Sequence, residues 1–131
     1  MKRVTGLGGV FLKCNNPEAM YGWYEKHLGV TREHGAVAFQ WRDTEEPEKT
    51  GTTIWSLFPE NTKYFEPSRS PFMMNFRVEN LEQLLTALRA EGVQVDEKVE
   101  TCDFGKFGWI IDLEGNRIEL WEPPTERQPL P

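Results

Sequence analysis

The most constraining feature of this sequence is that it repeats itself at an offset of 64 residues. Asn16 opens one helical segment and Asn80 another, Gly51 and Gly115 sit in corresponding turns, and Pro59 and Pro123 follow corresponding strands. A fixed period of this kind marks an internal duplication. The segment PEAMYGWYEKHLG has Asn16 as N-cap, Pro17 at the first helical position and Gly29 as its stop. Its expected buried stripe is Met20, Trp23, Tyr24, His27 and Leu28. LEQLLTALRAEG follows Asn80, with Gln83 completing a capping box, leucines at 81, 84, 85 and 88, and Gly92 as terminator. Gly29 and Gly92 fall one residue out of step, which the extra Pro17 explains.

Strands flank both helices. GVFLKC and MNFRVE precede them; VAFQWR and TTIWSLF follow the first, and VQVDEKVE, FGWIIDL and NRIELWE follow the second. Each half is therefore expected to be a βαβββ module, the first over about residues 5–60 and the second over about 72–124. The stretch 61–71 is expected to be a surface linker, and 125–131 a tail. A half alone leaves one sheet face uncovered, so the halves must pack together or pair with another chain. With 131 residues, one domain is the expectation.

VFLKCNNPEAMYGWYEKHLG, FMMNFRVENLEQLLTALRAEGV and DLEGNRIELWEPP together resemble the vicinal oxygen chelate superfamily, the family of glyoxalases, bleomycin resistance proteins and extradiol dioxygenases. The closing D-x-x-G-N-x-x-E-L pattern is the most specific part. The resemblance implies an α+β fold of two tandem βαβββ modules whose curled mixed sheets enclose a concave cavity, and it implies a homodimer.

In metal-dependent members the resemblance implies four ligand slots, on the first and last strand of each half. Aligned residue by residue, they fall here on Gly9, Trp55, Met73 and Glu119. Only Glu119 is a usual hard ligand, and one carboxylate does not hold a divalent ion. No cofactor is therefore expected; Fe, Ni, Zn or Mn belongs to the alternative reading.

Strand alternation assigns Val10, Leu12, Phe76, Val78, Ile118 and Leu120 to the helix side. Phe11, Lys13, Trp55, Leu57, Met73, Asn75, Arg77, Arg117, Glu119 and Trp121 are then expected on the cavity side, with Phe39 sharing a face with Trp41, and Phe107 with Trp109. The expected ligand-binding set is Phe11, Trp55, Met73, Asn75, Arg77, Trp109, Arg117 and Trp121. Trp55 and Trp109 would stack on a flat or cationic ligand. Arg77 and Arg117 either pair with Glu119 or Glu79, or clamp a carboxylate or phosphate. Glu119 is an ion-pair partner or a general base. His27 is expected to be a hydrogen-bonded structural residue and His34 a solvated turn residue. Residues 104–109, FGKFGW, make a lip over the cavity or a hairpin tip.

A net charge of −6 removes nucleic acid as a partner and favours a cationic small molecule. No apolar run is long enough for a membrane span, no apolar segment follows Met1–Gly6 as in a secretory signal, and Cys14 and Cys102 have neither disulfide nor zinc spacing. A cytoplasmic small-molecule-binding protein is the expectation. The alternatives are a metal-dependent lyase, epimerase, dioxygenase or thiol transferase, and a structural or regulatory protein.

Overall fold

The computed structural model describes residues 2–124. Strands and helices follow in the order β1 (Val4–Cys14), α1 (Pro17–Leu28), β2 (Val37–Arg42), β3 (Thr50–Pro59), β4 (Phe72–Val78), α2 (Leu81–Ala90), β5 (Gln94–Cys102), β6 (Gly105–Ile111) and β7 (Arg117–Glu122). The expected tail, 125–131, lies outside the described residues. Among those described, no helix is long and apolar enough to cross a membrane.

Both helices begin where the sequence places them. Asn16 Oδ1 accepts from the Ala19 amide and Asn80 Oδ1 from the Gln83 amide, each at about one turn's reach, which satisfies amides that the helix itself leaves unpaired. Gly29 closes α1 in the left-handed region at φ 69°. α2 buries Leu81, Leu84 and Leu85 against Val78 and Leu120, with Phe76 and Ile118 beside them. These four strand residues lie on the helix side, as alternation requires.

α1 differs from its expected stripe. Tyr21 is its one buried residue, with its hydroxyl accepting from the Leu57 amide at 2.8 Å. Trp23 and Leu28 are exposed, and His27 is an exposed residue stacked on Trp23 rather than a structural one. The helix is seated by a tyrosine whose hydroxyl needs a buried backbone partner, and this turns Trp23 outward.

All seven strands form one sheet, ordered β2-β3-β1-β4-β7-β6-β5. β1 and β4 meet antiparallel at its centre, so the two halves join within one chain. β1 pairs parallel with β3, and β4 parallel with β7. Each helix thus crosses over between strands of its own half. The first half has three strands and not four. The segment before β2 carries only an isolated Glu33–Ala36 bridge, because His34 and Gly35 are both left-handed, at φ 56° and 91°, and turn the chain back on itself. His34 is exposed in that turn, as expected. FGKFGW is a hairpin element: Cys102 pairs with Gly105, and β6 begins there. Cys14 and Cys102 are free thiols.

The segment 61–71 is not a plain surface linker. Phe65 is wholly buried and Ser68 nearly so. The segment lies as a strap over the concave side of the sheet, tied by Lys13 N–H to the Pro71 carbonyl and by Ser70 Oγ to Asn116 Oδ1.

Candidate functional site

Two regions carry the chemistry-bearing side chains. The first is centred on Glu119, which β7 places opposite Asn75 of β4 and Trp109 of β6. Glu119 is 3% exposed and Asn75 2%. Three donors converge on the carboxylate: Asn75 Nδ2 on Oε1 at 2.5 Å, and Trp109 Nε1 at 3.1 Å with the Tyr64 hydroxyl on Oε2. Burial pushes the Glu119 carboxyl above its ordinary value, against the opposing pull of those hydrogen bonds and of the Arg117 charge. Burial and the neighbouring carboxylate push the Tyr64 phenol up in turn, so it stays a donor.

Phe65, Met73, Trp109 and Phe11 form one buried cluster with Ile54, Phe58, Tyr64 and Phe107. The strap therefore fills the cup that Phe11, Met73, Asn75 and Trp109 were expected to offer a ligand. Arg117 fastens it. Its guanidinium donates to the Glu66 carbonyl at 2.8 Å, lies 5.0 Å from the Trp109 ring and 5.7 Å from the Tyr64 ring, and approaches Asp96 at 3.8 Å. It is thus neither an exposed clamp nor hydrogen-bonded to Glu119. Tyr64 is the residue that sequence reasoning missed; its position within a Pro-flanked linker gave no periodic signal.

Trp55 is corrected as well. It packs on α1, with ring centroids 4.6 Å from Tyr24 and 5.9 Å from Tyr21, and Leu57 lies in the same helix-side cluster. Val10 pairs with Trp55 and Met74 with Ile118, so the residue equivalent to Glu119 is Ser56. Asn16 and Asn80 cap at the same spacing, so Pro17 matches Leu81 and the repeat is still 64 residues at the helix starts; it has shortened to 63 by β3 and β7, and in a strand a slip of one residue changes the face.

The corrected donor set at the four slots is Gly9, Ser56, Met73 and Glu119. It contains one carboxylate, with both oxygens already engaged, one hydroxyl and one thioether. Among the described residues no three His, Cys, Asp or Glu side chains stand together as metal ligands would. This set does not suit a divalent cation.

The second region lies where β1 breaks register with β4, next to Gly6. There the Arg77 guanidinium lies 5.4 Å from the Trp41 ring and 5.1 Å from the Trp121 ring. Both indoles are pinned. Trp41 Nε1 donates to Thr53 Oγ1 at 2.8 Å, which donates to the Leu7 carbonyl at 2.6 Å; Trp121 Nε1 donates to the Phe104 carbonyl at 2.7 Å. Trp41 lies flat because Gly6 and Gly51 leave it room: a Cβ at either would stand 2.9 or 2.3 Å from its ring. A groove of about 470 Å³ opens here, lined by Trp41, Arg77, Asp43, Glu45, Glu79 and Glu122, among others. Arg77 and Trp41 line this groove, whereas Trp121 contacts Arg77 without lining it. Phe107 stacks on Trp121, whereas Phe39 is exposed to solvent.

The sequence model of the Glyoxalase/Bleomycin resistance protein/Dioxygenase superfamily matches residues 6–120. No curated protein matches the chain. Among solved structures, a methylmalonyl-CoA epimerase from Mycobacterium tuberculosis is 22% identical with a TM-score of 0.61, over 95% of this chain and 92% of that one. Streptomyces coelicolor methylmalonyl-CoA epimerase is 16% identical with a TM-score of 0.70, over 96% and 99%. A Mn(II)-bound glyoxalase from Novosphingobium aromaticivorans is 13% identical with a TM-score of 0.56, over 99% of this chain and 44% of that one. At these identities the likeness is one of fold. With the family's pattern matched over most of its length, this chain belongs to the Glyoxalase/Bleomycin resistance protein/Dioxygenase superfamily.

Proposed function

We propose that the protein is a metal-independent binding protein for a small aromatic or cationic molecule, held in the groove beside Trp41, Arg77 and Trp121. The observation that carries this reading is the contrast between the two regions. Glu119, the only usual ligand among the four slots, is sealed beneath the strap with both oxygens hydrogen-bonded, while the groove lined by Trp41 and Arg77 is open. The groove has the size of an ordinary small-molecule site. Its lining carries five carboxylates, Asp43, Glu45, Glu46, Glu79 and Glu122, against three cations, Lys2, Lys49 and Arg77, and this acidic balance attracts a cation, as does the chain's net charge of −6. Indoles offer a flat, polarizable surface. Glu119 is read as the anchor of the strap rather than as a general base, because a base must reach a substrate proton and this carboxylate reaches only side chains of its own chain.

The test has two arms. A panel of small aromatic amines, ammonium compounds and neutral aromatics is screened by thermal shift and tryptophan emission, and a binder should raise the melting temperature. In parallel, chelator-treated protein is dialysed against Ni, Fe, Zn and Mn salts. Stoichiometric tight uptake that Glu119→Gln abolishes would overturn the metal-independent reading. A panel with no effect on either readout would overturn the binding reading.

A further inference from the structure

We propose that Arg77 anchors a carboxylate of the bound molecule, so that the ligand class is amphoteric: a carboxylate joined to an ammonium group. This rests on the groove's being a binding site and names what it binds. Among the described residues, the Arg77 guanidinium makes no hydrogen bond and no ion pair, although Glu79 and Glu122 line the same groove. Glu122 is already committed, since its carboxylate accepts from the Leu81 amide at the start of α2. The internal salt bridge with Glu79 or Glu119 that the sequence allowed is therefore not formed.

None of the Arg77 nitrogens is buried without a partner, so its unpaired N–H donors face solvent and stand open to an arriving acceptor. Here the charge rests on two ring faces, and burial alone acts on it, pulling its pKa down. The chain spends several features on this arrangement. Two strand glycines make space for Trp41, and hydrogen bonds from both indole nitrogens fix the platform. Glycine inside a strand is unfavourable by itself, by roughly 0.5–1 kcal/mol relative to alanine; Gly51 is the cross-strand partner of Trp41 and lets the indole lie over it. The result is a planar fork held in place with its donors free. A carboxylate fits such a fork through two parallel hydrogen bonds.

The surrounding charge narrows the ligand further. Asp43 is occupied by the amides of Glu45 and Glu46, and Glu46 pairs with Lys49. The side chains of Glu45 and Glu79 have no partner among the described residues. A doubly charged phosphate would find Lys2 and Lys49 beside Arg77 but would also meet five carboxylates. A molecule with one carboxylate for Arg77 and one ammonium for Glu79 or Glu45 satisfies both signs at once.

The experiment compares phenethylamine with L-phenylalanine, which differ by the carboxylate alone, using titration calorimetry on the full chain. Wild type should bind L-phenylalanine at least tenfold more tightly than phenethylamine. Arg77→Met should erase that preference, weakening L-phenylalanine at least tenfold relative to phenethylamine. Arg77→Lys, which keeps the charge but loses the fork, should retain only part of it, and Glu79→Gln should weaken both compounds. Phenethylamine bound as tightly as L-phenylalanine by wild type, or a preference that survives Arg77→Met, overturns the carboxylate anchor while the binding reading stands. If neither compound binds but a carboxylate-free member of the screening panel does, the anchor again falls alone. If neither L-phenylalanine, phenethylamine nor any member of the panel binds, both fall together.

Discussion

Removing the Tyr64 hydroxyl should destabilise the protein more at neutral pH than in acid, and the difference tests whether the strap is fastened to an ionised Glu119. The hydroxyl donates to a carboxylate that is 3% exposed, with Asn75 and Trp109 as the other donors. A hydrogen bond to a charged group contributes about 1.5–3 kcal/mol and one between neutral groups about 0.5–1.5 kcal/mol. The Glu119 pKa is raised in the folded state, mainly by burial. The folded protein therefore keeps this proton to higher pH than the unfolded chain does. Stability contributed at this group falls as pH climbs from the unfolded value through the raised one, then levels off. Tyr64→Phe removes a donor that favours the ionised form, so it raises the folded pKa further and deepens the fall. The expected loss is about 2 kcal/mol at pH 8 and about 1 kcal/mol at pH 4. Urea unfolding of both proteins at the two pH values, followed by tryptophan emission, measures it from the midpoints. Equal losses at both pH values, or a loss below about 0.5 kcal/mol at pH 8, would refute the reasoning.

Three further outcomes follow from the packing. Phe65→Ala, which empties the wholly buried centre of the strap, should cost about 3–5 kcal/mol in the same assay. Gly51→Ala would put a Cβ 2.3 Å from the Trp41 ring and should destabilise by about 1–3 kcal/mol, with a changed tryptophan emission as the platform tilts. Asn80→Ala removes the cap that accepts from Gln83 and should cost about 1 kcal/mol, read as a lowered melting temperature in circular dichroism.

The duplication, both helix caps and the helix-side residues of the second half were legible because each has a local signature. Asn followed by an apolar period, or alternation along NRIELWE, needs no knowledge of distant contacts. What the sequence hid depends on registration between distant segments. Trp55 was placed on the cavity side by an offset that held through the helix starts but had slipped by one residue at β3, and pairing of Val10 with Trp55 shows it on the helix side. The seating of α1 on Tyr21 depends on a backbone amide in β3, which no helical period reveals. The strap is the extreme case. Asn61 to Pro71 has prolines and polar residues, and only the tertiary fold shows Phe65 edge-on to Phe58 of β3, with Tyr64 on Glu119.

The strap also explains why a carboxylate persists in a cup that has lost its other hard ligands. A buried ion is costly, and an apolar side chain of similar volume is often at least as stable. Glu119 is tolerable only because Tyr64, Asn75 and Trp109 all point hydrogens at it, and two of those three come from strands flanking its own. The third comes from the strap, and a leucine at 119 would leave all three donors without an acceptor. The carboxylate therefore sets where Tyr64 must lie, and Tyr64 sets where Phe65 enters the cluster with Phe11 and Met73. Glycine, serine and methionine at the remaining slots suit that arrangement, since none brings a second charge beside Glu119. The chain itself thereby closes the cup around Glu119, while Arg77, two residues along β4 from Asn75, stands on two indoles with no acceptor among the described residues.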